Sequence, residues 1–222
     1  MARSTKEEAL ETRNRILDAA ENIFHEHGVS RTSLSDVADA ANVTRGAIYW
    51  HFKNKADLFA AMCDRVRLPM EAMVEACKDE NEADPIGQLR ETCLFVLKEA
   101  VRNPHSYKVF DIIFHKCEFV DPLDPILIRQ RECFLEGMAN IKRILVNAII
   151  RQQLPADLDI DMACAALHAT VDGLLHNWLF APESFELAAN AERLIDACLD
   201  SLRYAPSLRK PAVAGVRGRR KA

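Results

Sequence analysis

The sequence of 222 residues contains few of the features that support catalysis or membrane insertion. Only seven glycines occur, and none of them forms a glycine-rich loop that binds phosphate groups. No apolar run approaches the ~18 residues that cross a bilayer, and the N-terminus MARSTKEEALETR lacks the apolar core of a signal peptide. We therefore expect a cytoplasmic protein with no membrane association.

The seven cysteines are not arranged as a disulfide framework or a metal centre. Their number is odd, and neither a C-x-x-C pair nor a cysteine–histidine spacing typical of zinc sites is present. We interpret them as reduced and mostly buried thiols, with a redox sensor as the alternative. No nucleophile–base pair appears either, so we expect no enzyme, no catalytic residues, no metal and no cofactor.

Charge is distributed unevenly along the chain, although the formal net charge is only −4. Residues 1–55 are neutral, residues 56–202 carry a net charge of −11, and residues 203–222 carry +7. An acidic body repels nucleic acid. Any DNA-binding surface must therefore be local and lie near one end of the chain.

Helical periodicity extends through most of the sequence. In residues 86–101, apolar side chains recur at the three- and four-residue intervals of a helix face. Prolines divide residues 85–205 into pieces of helical length, and the Asp-Pro pairs at 84–85 and 124–125 are typical of helix starts. No segment alternates convincingly with the period of a strand. The sequence predicts an all-α fold of about nine helices.

The N-terminal part breaks into shorter helical units. Gly28 is typical of a residue that ends a helix, Ser33 with Asp36 forms a capping-box pattern, and Thr44 can cap the next helix. Asn42, between the two short helices, suits a left-handed turn. Two short helices joined by a tight turn and braced by a longer helix indicate a helix-turn-helix, whose second helix is the recognition helix.

The stretch VTRGAIYWHFKNK concentrates aromatic rings in a chain that has only three tyrosines and two tryptophans. On a helix, Ile48 and Phe52 share the inward face, whereas Arg45 and Tyr49 point outward. The pattern leaves the side of Trp50 open. Tyrosine, histidine and lysine reach phosphate oxygens, and arginine also reaches guanine edges. The candidate DNA-binding residues are Ser33, Thr44, Arg45, Gly46, Tyr49, Trp50, His51 and Lys55.

Several segments resemble a known family. RNRILDAAENIF, GVSRTSLSDVADAANVTRGAIYWHFKNKADL and the spacing between them are similar to the DNA-binding domain of TetR-family bacterial repressors. IIFHKCEF, LPADLD, VDGLLHNWLFAPESFEL and PSLRKP resemble the AcrR/TtgR type, which controls multidrug efflux pumps. The resemblance covers the chain to about residue 211, and one departure is Asn42, where most members carry glycine.

The resemblance implies a helix-turn-helix DNA-binding domain at residues 1–54 and a larger ligand-binding and dimerisation domain at 55–205. The basic tail at 206–222 is expected to be disordered. The resemblance also implies a homodimer that binds a palindromic operator in double-stranded DNA and is released by an apolar small-molecule inducer. We expect a repressor of a multidrug efflux operon, with regulation of a metabolic operon by a different ligand as the alternative within the family. An enzyme and a pure ligand-binding or scaffolding bundle are the rivals from other classes.

A ligand pocket is expected between the middle helices, because soft and aromatic side chains repack around dissimilar apolar molecules. Asp172 lies among apolar neighbours, where a carboxylate needs a partner, solvent or a ligand donor, and Arg67 is the candidate partner. The alternatives are ordinary core for each apolar member and a surface position for Asp172. His115 and Lys116 are assigned to structure or coupling. The candidate ligand-binding residues are Arg67, Met70, Cys93, Val96, Phe110, Phe114, Met138, Ile141, Leu167, Val171 and Asp172.

The last two helices carry apolar faces, and in the family such helices pair with their symmetry mates as a four-helix bundle. The alternative is that these faces complete the core of a single chain. The candidate dimer-interface residues are Leu174, Leu175, Trp178, Leu194, Cys198 and Leu202.

Overall fold

The computed structural model describes residues 2–77, 82–118, 121 and 124–211 of the protein. Within these residues the chain forms nine α-helices, two short 3-10 helices and no strand, which confirms the all-α prediction. The α-helices are α1 (Ala2–His27), α2 (Leu34–Ala40), α3 (Arg45–His51), α4 (Lys55–Cys77), α5 (Pro85–Arg102), α6 (Pro104–His115), α7 (Pro125–Ile150), α8 (Ile160–Phe180) and α9 (Leu187–Tyr204).

The starts of several helices are stabilised by the side chains that the sequence predicts. The Ser33 hydroxyl accepts the Asp36 N–H at 3.2 Å, and the Asp36 carboxylate accepts the Ser33 N–H at 2.8 Å. Thr44, Asp84 and Asp124 each accept a backbone N–H from the first turn of the following helix. These bonds satisfy donors that have no partner within the helix, so local sequence determines where these helices begin.

Two tight turns position the short helices of the N-terminal part. Gly28 ends α1 with φ +82°, and Asn42 links α2 to α3 with φ 53°, as predicted. Asparagine tolerates this left-handed conformation better than most residues with a side chain, which explains how the chain manages without glycine at position 42. The structure also places Gln152, after α7, at φ 60°, which the sequence pattern did not indicate.

The three N-terminal helices enclose a small apolar core. Phe24 of α1, Val37 of α2 and Ile48 of α3 are fully buried, and Phe52 is nearly so. Burial of side chains of this size contributes about 1.5–3 kcal/mol each. This core fixes α3 against α1 and α2 and leaves the opposite face of α3 exposed.

Helix α5 lies in the middle of the larger part, in contact with α4, α6, α7, α8 and α9. Its apolar face is buried, with Leu97 fully inaccessible. Helix α4 contacts both α1 and the larger part, and it continues through Pro69 to Cys77. Among the described residues, no helix combines the length and apolar character that a bilayer crossing requires.

The prediction of a disordered tail is wrong for residues 206–211. A 3-10 helix spans Pro206–Leu208, and the Arg209 guanidinium donates to the carbonyl oxygen of Leu202 at 3.1 Å. The Lys210 N–H donates to the carbonyl oxygen of Asp157 at 2.8 Å, which ties this segment to the loop before α8. The rest of the predicted tail, residues 212–222, lies outside the described residues.

Candidate functional site

One face of α3 is exposed and polar, as the sequence predicts. Thr44, Arg45 and Gly46 are exposed, and Tyr49 retains 59% of its accessible surface. Trp50, whose side the sequence left open, is 73% exposed. The surface therefore combines one guanidinium with two aromatic rings, and Gly46 keeps the backbone between them open to close approach.

His51 closes this helix and is only partly exposed. Its ring meets the Trp50 ring edge-on, with 4.5 Å between centroids. Burial, and secondarily the charge of Arg13, lowers the pKa of His51, so the ring is neutral at pH 7. Arg13 itself lies over the Phe52 ring at 5.2 Å. As a DNA-binding candidate, His51 therefore offers a hydrogen bond rather than a charge.

The structure does not support the predicted phosphate contact of Lys55. Its ammonium group donates to the carbonyl oxygens of Val29 at 2.7 Å and Thr32 at 3.0 Å, with a longer contact to that of Ser30 at 3.5 Å. All three carbonyls belong to the loop between α1 and α2. The three donors of a lysine are thus directed into the protein, and the role that the geometry supports for Lys55 is to hold this loop.

Lys53 is a basic residue that the sequence reasoning missed. It is exposed beside Tyr49 in an open depression of about 570 Å³ next to α3. Arg31 lines the same depression and is exposed, with a loose ion pair to Glu118 at 3.7 Å. The KNK sequence contained both lysines, but only the folded loop shows which of them faces outward. Ser33, another candidate, uses its hydroxyl mainly for the α2 cap.

A second candidate site is a cavity of about 350 Å³ formed by α4, α6, α7 and α8. Four of the predicted ligand-binding residues line it: Arg67, Met70, Phe110 and Asp172. Its other lining residues are Phe59, Ala60, Cys63, Asp64, Val66, Val109, Ile113, Arg129, Gln130, Cys133 and Phe134. Most of these are apolar, so the cavity suits an apolar or aromatic molecule.

Seven predicted ligand-binding residues do not line this cavity. Cys93 of α5 and Leu167 of α8 are buried in the core, where both helices pack against several neighbours. The other five are partly buried side chains packed against the core: Val96, Phe114, Met138, Ile141 and Val171. The periodic pattern identified inward-facing positions correctly, but it does not distinguish a core contact from a cavity wall.

The predicted pair between Arg67 and Asp172 is also wrong. Arg67 donates to Asp64 at 2.8 Å and to Glu71, both on its own helix, because helix residues three or four positions apart lie on the same face. Asp172 instead pairs with His168, with 3.2 Å between Nδ1 and Oδ2. Burial raises the pKa of the Asp172 carboxyl and the nearby His168 opposes this, although the side chain keeps 46% of its accessible surface.

Sequence reasoning missed the α7 wall of the cavity. Arg129, Gln130, Cys133 and Phe134 recur at helical spacing and share one face of α7. The four are chemically mixed, so no apolar stripe marks them. The sequence contained their spacing but not the orientation of α7 against α4.

A junction of ion pairs joins the N-terminal helices to the cavity helices. Glu21 of α1 is 1% exposed, and its carboxylate meets Arg65 of α4 at 2.8 Å and the Nδ1 atom of His105 of α6 at 2.5 Å. Asp18 meets Arg65 at 2.6 Å. The ligand atoms of Asp18, Glu21 and His105 lie within 4.8 Å of one another, as in a metal site. Because Arg65 already supplies a positive charge to both carboxylates, we interpret this cluster as an ion-pair network.

The loop before α2 is attached to the end of α6. The Val29 N–H donates to the carbonyl oxygen of Lys116 at 3.0 Å, and the Ser30 hydroxyl donates to that of Glu118 at 3.2 Å. The Asp111 carboxylate on α6 meets Nε2 of His25 at 3.3 Å and Nδ1 of His115 at 2.8 Å. These contacts agree with a structural or coupling role for His115 and Lys116.

Half of the predicted dimer-interface residues are buried within the single chain. Leu175 is 2% exposed, Cys198 9% and Leu202 fully buried, because α8 and α9 also pack against α5. These three residues therefore belong to the core of the single chain, and their prediction as interface residues is wrong. The remaining three, Leu174, Trp178 and Leu194, are partly exposed.

Two family models match the chain and together span both parts. A model of bacterial regulatory proteins of the tetR family matches residues 16–62, and a model of the C-terminal region of MAATS-type transcriptional repressors matches residues 84–204. The second alone covers more than half of the chain. Both describe transcriptional regulators and not enzymes, as expected.

Relatives from several bacteria match over nearly the full length. The transcriptional regulator TtgR of Pseudomonas putida is 43% identical over 210 residues, which is 95% of this chain and all of TtgR. The structure resembles that of NalD, the secondary repressor of the MexAB-OprM multidrug efflux pump in Pseudomonas aeruginosa. The TM-score is 0.77 and the identity 34%, over 88% of this chain and 98% of NalD.

A third relative, SmeT of Stenotrophomonas maltophilia, has been solved in complex with triclosan. Its structure matches with a TM-score of 0.79 and 32% identity, over 91% of this chain and 97% of that one. Proteins of this kind bind operator DNA and small-molecule ligands and act as dimers. A short helix α3 with one exposed face, a cavity in an all-helical body and these matches over most of the chain agree, and the chain belongs to the TetR family of bacterial transcriptional regulators.

Proposed function

We propose that this protein represses a multidrug efflux operon and is released from its operator by apolar or aromatic small molecules that enter the α4–α8 cavity. NalD and SmeT are named as repressors of such pumps, which supports the proposal. The observation that carries it is the course of α4. Its first turn holds the loop before α2 through Lys55, and its middle turns line the cavity. The protein works in the cytoplasm, where the operator lies.

The DNA side of the proposal assigns the exposed face of α3 to the major groove. Arg45 is placed to reach a guanine edge or a phosphate, and Tyr49 and Lys53 to reach phosphate oxygens. Trp50 lies on the same exposed face as an apolar contact. A homodimer then presents two such helices to a palindromic operator whose half-sites are about one helical turn, ~10 bp, apart.

The ligand side assigns recognition to the aromatic and apolar walls of the cavity, with Asp172 as a polar contact. Its carboxylate lines the cavity and has His168 as its protein partner. A ligand donor that bonds to it therefore adds to an existing pair. Met70 and Phe110 supply soft and flat surfaces that suit dissimilar apolar molecules.

Coupling between the two sites is assigned to α4 and α6. Both helices line the cavity, and both are attached to the N-terminal part, α4 through Lys55 and Arg65 and α6 through His105 and Lys116. A ligand that prefers a different spacing of these helices weakens DNA binding by its differential affinity. A 100-fold loss of operator affinity corresponds to about 2.7 kcal/mol, within the usual range of allosteric coupling.

The test is binding of the full-length protein to DNA upstream of its own gene, measured by fluorescence anisotropy. We expect specific binding by the wild type. For Arg45→Ala we expect the operator affinity to fall by at least about 100-fold, because a bidentate contact and a charge are removed. Arg131→Ala, on an exposed position of α7, is the matched control and should bind as the wild type does. An operator affinity of Arg45→Ala equal to that of the wild type would overturn the assignment of α3 to the major groove.

A further inference from the structure

Helix α7 has apolar side chains on its solvent-facing side as well as on its buried side. Five of the thirteen large apolar side chains that are exposed among the described residues belong to α7, and no other element has more than two. Single exposed apolar residues scattered over a surface are ordinary, whereas an ordered group is typical of a contact surface. The outer side of α7 is therefore a candidate interface.

The exposed side chains on this side form one line along the helix, which we call the outer stripe. At about 100° per residue, the stripe stays within about 60° of arc and extends over about 33 Å. It lies about half a turn away from Ile144 and Ala148, which are buried. Leu135 keeps 54% of its accessible surface and Ile150 keeps 71%, so no described element covers them. The members of the outer stripe are Ile128, Leu135, Ala139, Val146 and Ile150.

The sequence along the outer stripe is symmetric about Ala139. Ile128 lies eleven positions before Ala139, and Ile150 lies eleven positions after it. Glu136 and Lys142 lie three positions before and after it. Two copies of α7 packed antiparallel about a two-fold axis at Ala139 therefore place Ile128 of one copy against Ile150 of the other. They also place Glu136 against Lys142, and the small alanine at the axis allows the helices to approach closely.

The neighbouring positions are complementary in the same arrangement. Leu135 of one copy and Val146 of the other differ by three positions in their distance from the axis, which is less than one helical turn. Glu132 and Arg143 differ by the same amount. Apolar side chains thus meet apolar ones, and carboxylates meet cations. A parallel arrangement would instead set each charge against its own copy, which is unfavourable.

The charged side chains beside the outer stripe are accessible to a second copy. Glu136 is 58% exposed, and its ion pair with Arg129 is long, at 3.9 Å. Lys142 is 53% exposed and meets Asp161 of α8, which is 80% exposed, at 2.6 Å. Because exposed ion pairs contribute little to stability, Lys142 can exchange Asp161 for a carboxylate of another copy.

We propose that the outer stripe is a second self-association surface, through which dimers of this protein join by an antiparallel contact between two α7 helices. The proposal goes beyond the proposed function, because it requires neither the cavity nor operator DNA. The surface is separate from the partly exposed residues of α8 and α9, since every member of the stripe belongs to α7. Each dimer carries two stripes, so the contact joins dimers into tetramers or longer rows.

An interface made by one helix face is small. A stable protein–protein contact buries about 800 Å² on each partner, which is more than a single line of side chains provides. We therefore expect a contact that is weak in dilute solution and forms when dimers are concentrated. Neighbouring sites on one DNA molecule would provide such conditions, since tethering raises the effective concentration to about the millimolar range.

The test is sedimentation velocity of the full-length protein, without DNA or ligand, at concentrations up to about 0.3 mM. We expect the wild type to sediment as a dimer at low concentration and increasingly as larger species at high concentration. Leu135→Glu replaces an apolar contact with a charge, so it should weaken the association of dimers by at least about tenfold and leave the dimer intact. Glu91→Lys, at an exposed side chain of α5, is the control for the change of charge and should behave as the wild type does.

An exchange of charges tests the antiparallel register. Glu136→Lys and Lys142→Glu should each weaken the association of dimers by at least about fivefold, because like charges then face each other. The double variant Glu136→Lys/Lys142→Glu restores opposite charges and should associate within about twofold of the wild type. This recovery separates a specific contact from general adhesion of an apolar surface.

Three results would overturn the proposal. A wild type that stays dimeric at every concentration would show that a second copy does not occupy the outer stripe. Should association appear only after residues 212–222 are removed, the stripe would belong to the tail of the same chain. A double variant no better than the single ones would exclude this register, and dissociation of Leu135→Glu into monomers would place the stripe in the dimer interface itself.

Discussion

Lys53 and Lys55 are two positions apart, yet their side chains have opposite surroundings. Lys53 is exposed beside α3, whereas the Lys55 ammonium is bonded to carbonyl oxygens of the loop between α1 and α2. At the scale of single residues, local rules predicted caps such as Ser33 and Thr44 because each cap bonds within a few positions of itself. The partner of Lys55 is 26 residues away along the chain, so no local pattern contains it.

The same distinction applies to the candidate ligand residues. Arg67 finds its partners Asp64 and Glu71 within one helical turn, a spacing that the sequence contains. The prediction instead paired it with Asp172, whose position relative to α4 depends on how α8 packs. The spacing of Asp64 and Glu71 would have been enough to predict the partners of Arg67, whereas a partner on another helix depends on packing that the spacing does not contain.

A salt titration of operator binding separates the two lysines. Lys53→Met should lower the slope of log affinity against log salt by about one, since one phosphate contact is lost. Lys55→Met should leave that slope unchanged and lower the free energy of unfolding by about 1.5–3 kcal/mol, since bonds to a charged group are removed. The measurements are anisotropy at several salt concentrations and chemical denaturation. A reduced slope for Lys55→Met would contradict its assignment to the loop.

The raised pKa of Asp172 predicts a pH-dependent effect on stability. A carboxyl whose pKa is higher in the folded state stabilises the protein below its unfolded pKa of 3.8 relative to higher pH, and this contribution is lost as pH rises through the folded pKa. Asp172→Asn should therefore raise Tm at pH 7, and the difference should vanish as pH falls below 3.8. Asp39→Asn, at an exposed site, is the control. A lower Tm at pH 7 for Asp172→Asn would show that pairing with His168 dominates over burial.

At the scale of elements, α1, α4 and α6 meet at one buried carboxylate. Glu21 is 1% exposed and is shared by Arg65 and His105, so three helices depend on a single side chain. The sequence predicted each of these helices from its periodicity and caps. It did not predict the junction, because a glutamate on a long helix is ordinarily a solvent-facing residue.

Substitution of Glu21 tests this junction. Glu21→Gln should destabilise the protein by about 3 kcal/mol, because the Arg65 guanidinium loses its buried carboxylate partner. We also expect altered release by ligand, measured as the ratio of operator affinities with and without triclosan. Glu26→Gln, at an exposed position on the same helix, should change neither stability nor that ratio. An unchanged free energy of unfolding for Glu21→Gln would show that the junction does not stabilise the protein.

At the scale of the whole molecule, the exposed face of α3 and the cavity are connected through α4 and α6, which line the cavity and contact the N-terminal part. Family resemblance and helical periodicity predicted both parts and their order along the chain. They did not predict that α7 lines the cavity, or that Leu175 and Leu202 are buried within the single chain. Both outcomes depend on how complete helices pack, and an apolar face alone does not say whether another helix of the same chain covers it.

In the proposed function, occupation of the cavity and binding of DNA are coupled, and the reciprocity of the two affinities is the sharpest test of this coupling. The probe is triclosan, the molecule bound in the SmeT complex. Calorimetry measures its affinity for this protein with and without saturating operator DNA, and anisotropy measures the operator affinity with and without saturating triclosan. Linkage requires the two ratios to be equal, and we expect each to be about 10- to 100-fold in the direction of mutual weakening. Ratios of one in both experiments would show that the cavity and the DNA-binding surface are not coupled.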